Sequence, residues 1–260
     1  MRAQALLAAS LSLFMPMAVH AAPAAAADGI EYAAQAGDPA AARVEAMLPA
    51  AKARVEGFFG SPFAEPVRVK LAPDRAAFDA SFPKAWGMGK TECWMVGVGV
   101  ADFLVLLSPA DWSKEACDHD ATKDQAVRDI VTHELVHMYH GQHNPTRDFT
   151  GVDDLSWFIE GLAVLASGQL DRGHNNDLDA VLRSGAWPTS LAKVWTGDYR
   201  YGMAGSLVQY IDQTRGRKTV VALLSATSQA RVLKTLGVSE AELLARWKAW
   251  AEARANPAKT

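Results

Sequence analysis

The chain has 260 residues, half of them hydrophobic, two cysteines and a formal net charge of −3 at pH 7. That length can bury a sizeable core within one domain. The near-even charge, with no block of Lys or Arg, excludes a general attraction to nucleic acid or to an anionic membrane surface.

The first stretch reads as an export signal. Met1-Arg2 precedes the apolar run Ala5 to Val19, and small residues at Val19 and Ala21 flank His20, so cleavage is expected after Ala21. The run is too short to span a bilayer stably, Pro16 interrupts it, and no stop-transfer charges follow, so no stable membrane insertion is expected after cleavage. The expected division is a signal peptide at 1–21, an Ala/Pro-rich linker at 22–28 and a single domain at 29–256, exported to a periplasm or to the exterior. In such a compartment Cys93 and Cys117 are expected to pair.

Within the domain, apolar residues recur at helical spacing from Asp38 to Phe58, and Gly60 closes that helix. Pro66 to Leu71 alternates with period two and reads as a half-buried strand, followed by a helical patch from Arg75 to Phe82. Trp94 to Val100 and Phe103 to Leu107 read as two further strands of one sheet. Gly97 and Gly99 leave room for something to approach the first of these closely. Ser108 to Asp124 is polar, and its Asp118-His119-Asp120 run reads as an acidic surface loop.

A helix from about Lys123 to His140 then carries His133-Glu134-Leu135-Val136-His137. Residues i and i+4 share a helix face, so His133 and His137 can offer two imidazole nitrogens to one metal ion. Glu134, one residue round, can reach a water on that ion. Apolar residues surround this helix, which predicts that it is buried. Burying two histidines and a glutamate costs several kcal/mol, on the order of magnitude for unsatisfied polar groups, and a cation would offset it. The next helix, from Leu155 to Leu165, holds a lone carboxylate, Glu160, with Asp153 or Asp154 as its expected cap. A lone buried carboxylate calls for a cation as well. Gly161 beside it lets the helix press against a neighbour. Helices are expected at Tyr201–Gln213, 218–225 and Gln229–Leu236. A last helix opens with the capping box Ser239-Glu240-Ala241-Glu242 and buries Leu243, Trp247 and Trp250. The whole is expected to be α+β, with a sheet lobe at about 29–122 and a helical lobe at about 123–256.

His133-Glu134-x-x-His137 followed by Trp157-x-x-Glu160-Gly161-x-Ala163 resembles the gluzincin metallopeptidases of the peptidase MA-like group. The resemblance implies a zincin-like fold and Zn2+ held by His133, His137 and Glu160. It also implies Glu134 as general base and a later tyrosine as donor to the oxyanion. Tyr201, at the head of Tyr201-Gly202-Met203-Ala204-Gly205, fits that place, and Tyr199 stands two residues away. The implied substrate is a peptide or protein, with a peptidoglycan peptide using the same chemistry, and it would lie extended near Gly97 to Ala101. Two features of the group are missing. The strand region Val96 to Asp102 lacks the glutamate that grips a substrate amino terminus, which favours an endopeptidase. Ile159 and Val164 replace the Asn and Asp that accompany the ligand glutamate, so no residue is assigned to orient the histidines. A metzincin-type site would use His143 as third ligand, but His140 stands where that pattern needs glycine. A non-catalytic exported protein that binds zinc and peptide is the remaining alternative.

Overall fold

The computed structural model describes residues 29–255, so the expected signal peptide and linker lie outside the described residues. The fold is α+β. Its sheet lobe contains β1 (Ile30–Ala34), α1 (Ala41–Phe59), β2 (Val67–Ala72), α2 (Arg75–Asp79), β3 (Gly97–Val100), β4 (Phe103–Leu107) and the short α3 (Trp112–Glu115). The helical lobe contains α4 (Asp124–Gln142), α5 (Ser156–Ser167), α6 (Gln169–Arg172), α7 (Asp177–Ser184), α8 (Leu191–Val194), α9 (Arg200–Arg215), α10 (Arg217–Leu223), α11 (Gln229–Leu236) and α12 (Glu240–Ala255). No helix among the described residues is long and apolar enough to cross a membrane.

The strands form one mixed sheet in the order β1-β2-β4-β3, in which β1, β2 and β4 run parallel and β3 runs antiparallel to β4. Helix α1 makes the crossover between β1 and β2, as a parallel connection requires. Strand β1 has no counterpart in the sequence-based expectation. Its residues Ile-Glu-Tyr-Ala-Ala alternate weakly, and the strand forms by pairing Ile30 with Val67 through Ala34 with Leu71. Strand β3 is shorter than expected and is an edge strand.

Helix α4 is buried as its composition predicts, with Val127, Val131, Leu135, Val136 and Met138 all in the core. It packs between α1 and α5 and against β3. On the α1 side the Tyr139 ring stacks on Phe59 at 4.2 Å between centroids, and its hydroxyl bonds Ser61 Oγ at 2.6 Å. On the β3 side the approach is close because two strand residues lack a Cβ. A Cβ on Gly97 would lie 2.6 Å from Glu134 Cγ, and one on Gly99 would overlap the Glu134 carbonyl oxygen. What the strand glycines admit is therefore the motif helix itself.

Helices α5 and α9 form the most extensive helix pair of the helical lobe. Gly161 permits this, since a Cβ there would overlap the Ala204 carbonyl of α9. Two expected caps are built differently. Neither Asp153 nor Asp154 caps α5 with its side chain; the Asp154 carboxylate accepts instead from the Gln229 N–H of α11 at 2.8 Å. At α12 the Ser239 hydroxyl accepts from the Glu242 N–H, but Glu242 turns to Arg246 and Glu240 accepts from the Leu191 N–H.

Cys93 and Cys117 form a disulfide with Cα atoms 5.3 Å apart. It ties the segment before β3 to the loop after α3.

The contact at Gly99 is between backbones, so no rotamer change can relieve it. Gly99→Ala should lower the unfolding free energy by about 1–3 kcal/mol or more, the ordinary cost of overpacking. Urea denaturation measures this, and an unchanged midpoint would show that α4 does not press on β3 as described.

Candidate metal centre

The two histidines of α4 face α5, and Glu160 rises from the middle of α5 to meet them. His133 Nε2 lies 3.2 Å from Glu160 Oε2, His137 Nε2 lies 3.6 Å from the same oxygen, and the two nitrogens are 3.0 Å apart. These are the ligand atoms of a group that can hold a metal ion. Nitrogens about 2.0–2.1 Å from one tetrahedral ion stand about 3.3 Å apart, so the spacing fits the group. Three electron-pair donors in so small a volume repel one another unless a proton or a cation lies among them.

The residue that orients His133 is Gln169, which sequence reasoning did not assign. Its Oε1 accepts from His133 Nδ1 at 2.7 Å, and this leaves the Nε2 lone pair facing Glu160. Gln169 opens α6 directly after Gly168, which ends α5 in a left-handed turn. The only sequence signal was a polar residue behind a helix-ending glycine. His137 has no such acceptor, its Nδ1 being buried without a partner among the described residues. Packing holds its ring, edge-on to His133 at 4.8 Å and to Phe149 at 6.3 Å.

Electrostatics separate the two carboxylates. Burial opposes ionisation of Glu160, yet the His137 and His133 rings beside it hold its carboxyl well below the usual range. Burial raises Glu134 and outweighs the pull of both histidines, while the Glu160 charge and the Gly99 N–H act in opposite directions. Burial also lowers His133, but Glu160, Glu134 and Gln169 together lift it to about 8.

The structure separates the two tyrosines. Tyr201, in the first turn of α9, lines the same cleft as the cluster with its ring 6.4 Å from that of His133. Tyr199 is 45% exposed and lines a different depression. Burial and the Glu160 charge push the Tyr201 phenol up to about 12, so it carries its proton at neutral pH.

His143 is not part of the cluster. It caps the C-terminus of α4, donates from Nδ1 to the Tyr139 carbonyl at 2.8 Å and stacks on the Tyr139 ring. His140 is buried, with Nε2 donating to the Leu224 carbonyl at 3.1 Å. Burial holds it neutral, at about 3, so it brings no positive charge to the end of the helix.

The cleft has a volume of about 870 Å³ and is walled on one side by Val96 to Val100 of the β3 edge. Gln169, His174 and Arg200 also line it, and none of the three stood out in the sequence. His174 stacks on Tyr201 and bonds Asp177 Oδ2 through Nδ1 at 2.8 Å.

Metal uptake should be stoichiometric in the wild type, lost in Glu160→Ala and kept in His143→Ala; elemental analysis after dialysis reads all three. Gln169→Leu should weaken affinity about 10–100-fold, the usual cost of removing an orienting partner. Protonated His133 has no lone pair to offer, so affinity should fall as pH drops below about 8. Calorimetric titration between pH 6 and pH 9 that found constant affinity would exclude His133 as a ligand.

Neither a scan against models of protein families nor a search of curated proteins finds a match for this chain.

Proposed function

We propose that this chain is a zinc-dependent peptidase of the gluzincin type, acting as an endopeptidase. The observation that carries the proposal is the meeting of His133, His137 and Glu160 beside a buried glutamate, Glu134, in one open cleft. Histidine and carboxylate donors suit zinc, and three protein ligands suit a catalytic ion that keeps a place open. Zinc held there supplies Lewis-acid polarisation of a carbonyl and makes water more acidic.

The rest is done by side chains of the chain itself. Glu134 takes the proton of the attacking water on its carboxylate and delivers it to the departing amine nitrogen. Burial raises its pKa, which strengthens it as a base, and contact with Gly97 and Gly99 holds it in place. Tyr201, protonated at neutral pH, donates its O–H to the carbonyl oxygen as negative charge develops. The β3 edge offers its outward backbone to an extended substrate. The bond from Leu107 N–H to the Val96 carbonyl places Val96, Val98 and Val100 inward toward β4. Alternation turns the backbone groups of Gly97 and Gly99 outward, where the Gly99 N–H already meets Glu134. A protein chain and a peptidoglycan peptide both present the amide that this chemistry needs. The disulfide supports an oxidising, exported setting.

With the zinc-loaded protein and an unbiased peptide mixture, Glu134→Gln should cut turnover by about 10²–10⁴-fold while zinc content stays at the wild-type level. Tyr201→Phe should lower kcat by about 10²–10³-fold with KM little changed. Mass spectrometry of the digests follows both. A zinc-loaded wild type that cleaves no peptide would leave a binding protein as the function, and near-normal turnover in Glu134→Gln would remove Glu134 from the chemistry.

A further inference from the structure

Three exposed large hydrophobic side chains occur among the described residues, and two of them, Trp94 and Met88, line the cleft. Trp94 is 44% exposed, and its indole has no ring or hydrogen-bond partner among the described residues. Its backbone, by contrast, is tightly held. The preceding residue is bridged to Cys117, and His119 Nε2 donates to the Trp94 carbonyl at 2.8 Å. Arg75, itself buried, donates to the carbonyls of Cys93, Met95 and Glu115 and to Thr91 Oγ1. A bare indole on a fixed backbone leaves only its side-chain torsions to be ordered on binding.

The same disulfide brings a carboxylate to this wall. Asp118 follows Cys117 as Trp94 follows Cys93, and the Cys117 N–H donates to the Cys93 carbonyl at 3.2 Å. Asp118 lines the cleft, and its carboxylate has no hydrogen-bond or ion-pair partner among the described residues. Its neighbour Asp120 is engaged by Lys123 at 3.2 Å and by Thr122. Outside the metal cluster the cleft is lined by five aspartates and two fixed cations, Lys123 and Arg200, and one of the five, Asp129, is paired with Arg172 from beyond the lining. Lys123 is occupied by Asp120, and Arg200 lies over the rings of Trp195 and Tyr201. The wall around the disulfide therefore has negative charge left unmatched.

We propose that Trp94 and Asp118, each next to one cysteine of the Cys93–Cys117 bridge and both lining the cleft, form a subsite for a Lys or Arg side chain of the peptide substrate. The aliphatic stem of such a side chain packs on the indole. Its cationic head is attracted both by the ring face and by the free carboxylate. A neutral side chain of the same length gains only the stem contact, and an acidic one is repelled. This inference rests on the peptidase reading for the identity of the ligand as a peptide.

Binding and cleavage test the two separately. The probes are neutral hexapeptides with one Lys moved through each position, and their norleucine counterparts. Calorimetry with the zinc-loaded Glu134→Gln protein should show about tenfold tighter binding of Lys than of norleucine at one position. Asp118→Asn should cut that preference severalfold and leave norleucine binding unchanged, and Trp94→Ala should weaken the Lys peptide about tenfold. Absence of a Lys preference at every position, or equal losses for Lys and norleucine in Asp118→Asn, would overturn the subsite. Cleavage by the wild type without such a preference sinks the subsite and keeps the peptidase. Preference in binding without cleavage keeps the subsite and sinks the peptidase. No binding of any probe overturns the subsite.

Discussion

Four ionisable side chains, His133, Glu134, His137 and Glu160, share one small volume where α4 meets α5. Removing that many charges from water costs several kcal/mol on the usual order for each ion, and attraction repays it only with close geometry. The rest of the structure supplies that geometry. Gln169 sets the tautomer of His133 from the start of α6. The β3 glycines bring the backbone of the sheet against Glu134. Gly161 lets α9 sit on α5, and so brings Tyr201 to the cleft.

The two lobes divide the work. The helical lobe holds every member of the cluster that could bind a metal ion, with the histidines one turn apart on α4 and the glutamate on the helix after it. The sheet lobe supplies one wall of the cleft, made of the β3 edge and the disulfide-tied segment before it. Glu134 is buried and Glu160 half-buried beside the histidines, yet their pKa values move in opposite directions. Desolvation is the largest influence on both, but at Glu160 the combined pull of the two rings it lies against outweighs it, whereas at Glu134, turned toward the strand, desolvation prevails. One acts as a fixed anion suited to a cation, and the other has the raised basicity that proton transfer asks for.

Sequence and structure part company where a residue has more than one possible partner. His140 and His143 stand together at the end of α4 and read alike. One is buried and neutral beneath the Leu224 carbonyl, and the other stacks on Tyr139. Asp154 has the type and the place of a helix cap, but a distant N–H on α11 claims it. Strand β1 is weakly patterned, yet β2 offers it a ready edge, and pairing makes up for poor intrinsic preference.

What the sequence determined by itself is whatever follows from local geometry. The 3.6-residue period alone puts His133 and His137 on one face, the run of apolar residues buries α4, and the lone Glu160 in an apolar helix marks a buried charge in need of a partner. The α+β division follows from strand patterns that precede helical ones. Only the tertiary structure decided which distant groups meet these. Gln169, the placing of Tyr201 but not Tyr199 in the cleft, and the placing of Trp94 and Asp118 in that same cleft all depend on how helices cross and loops are tied. Those distances are set by packing between segments far apart in the chain, and no periodicity in the sequence encodes them.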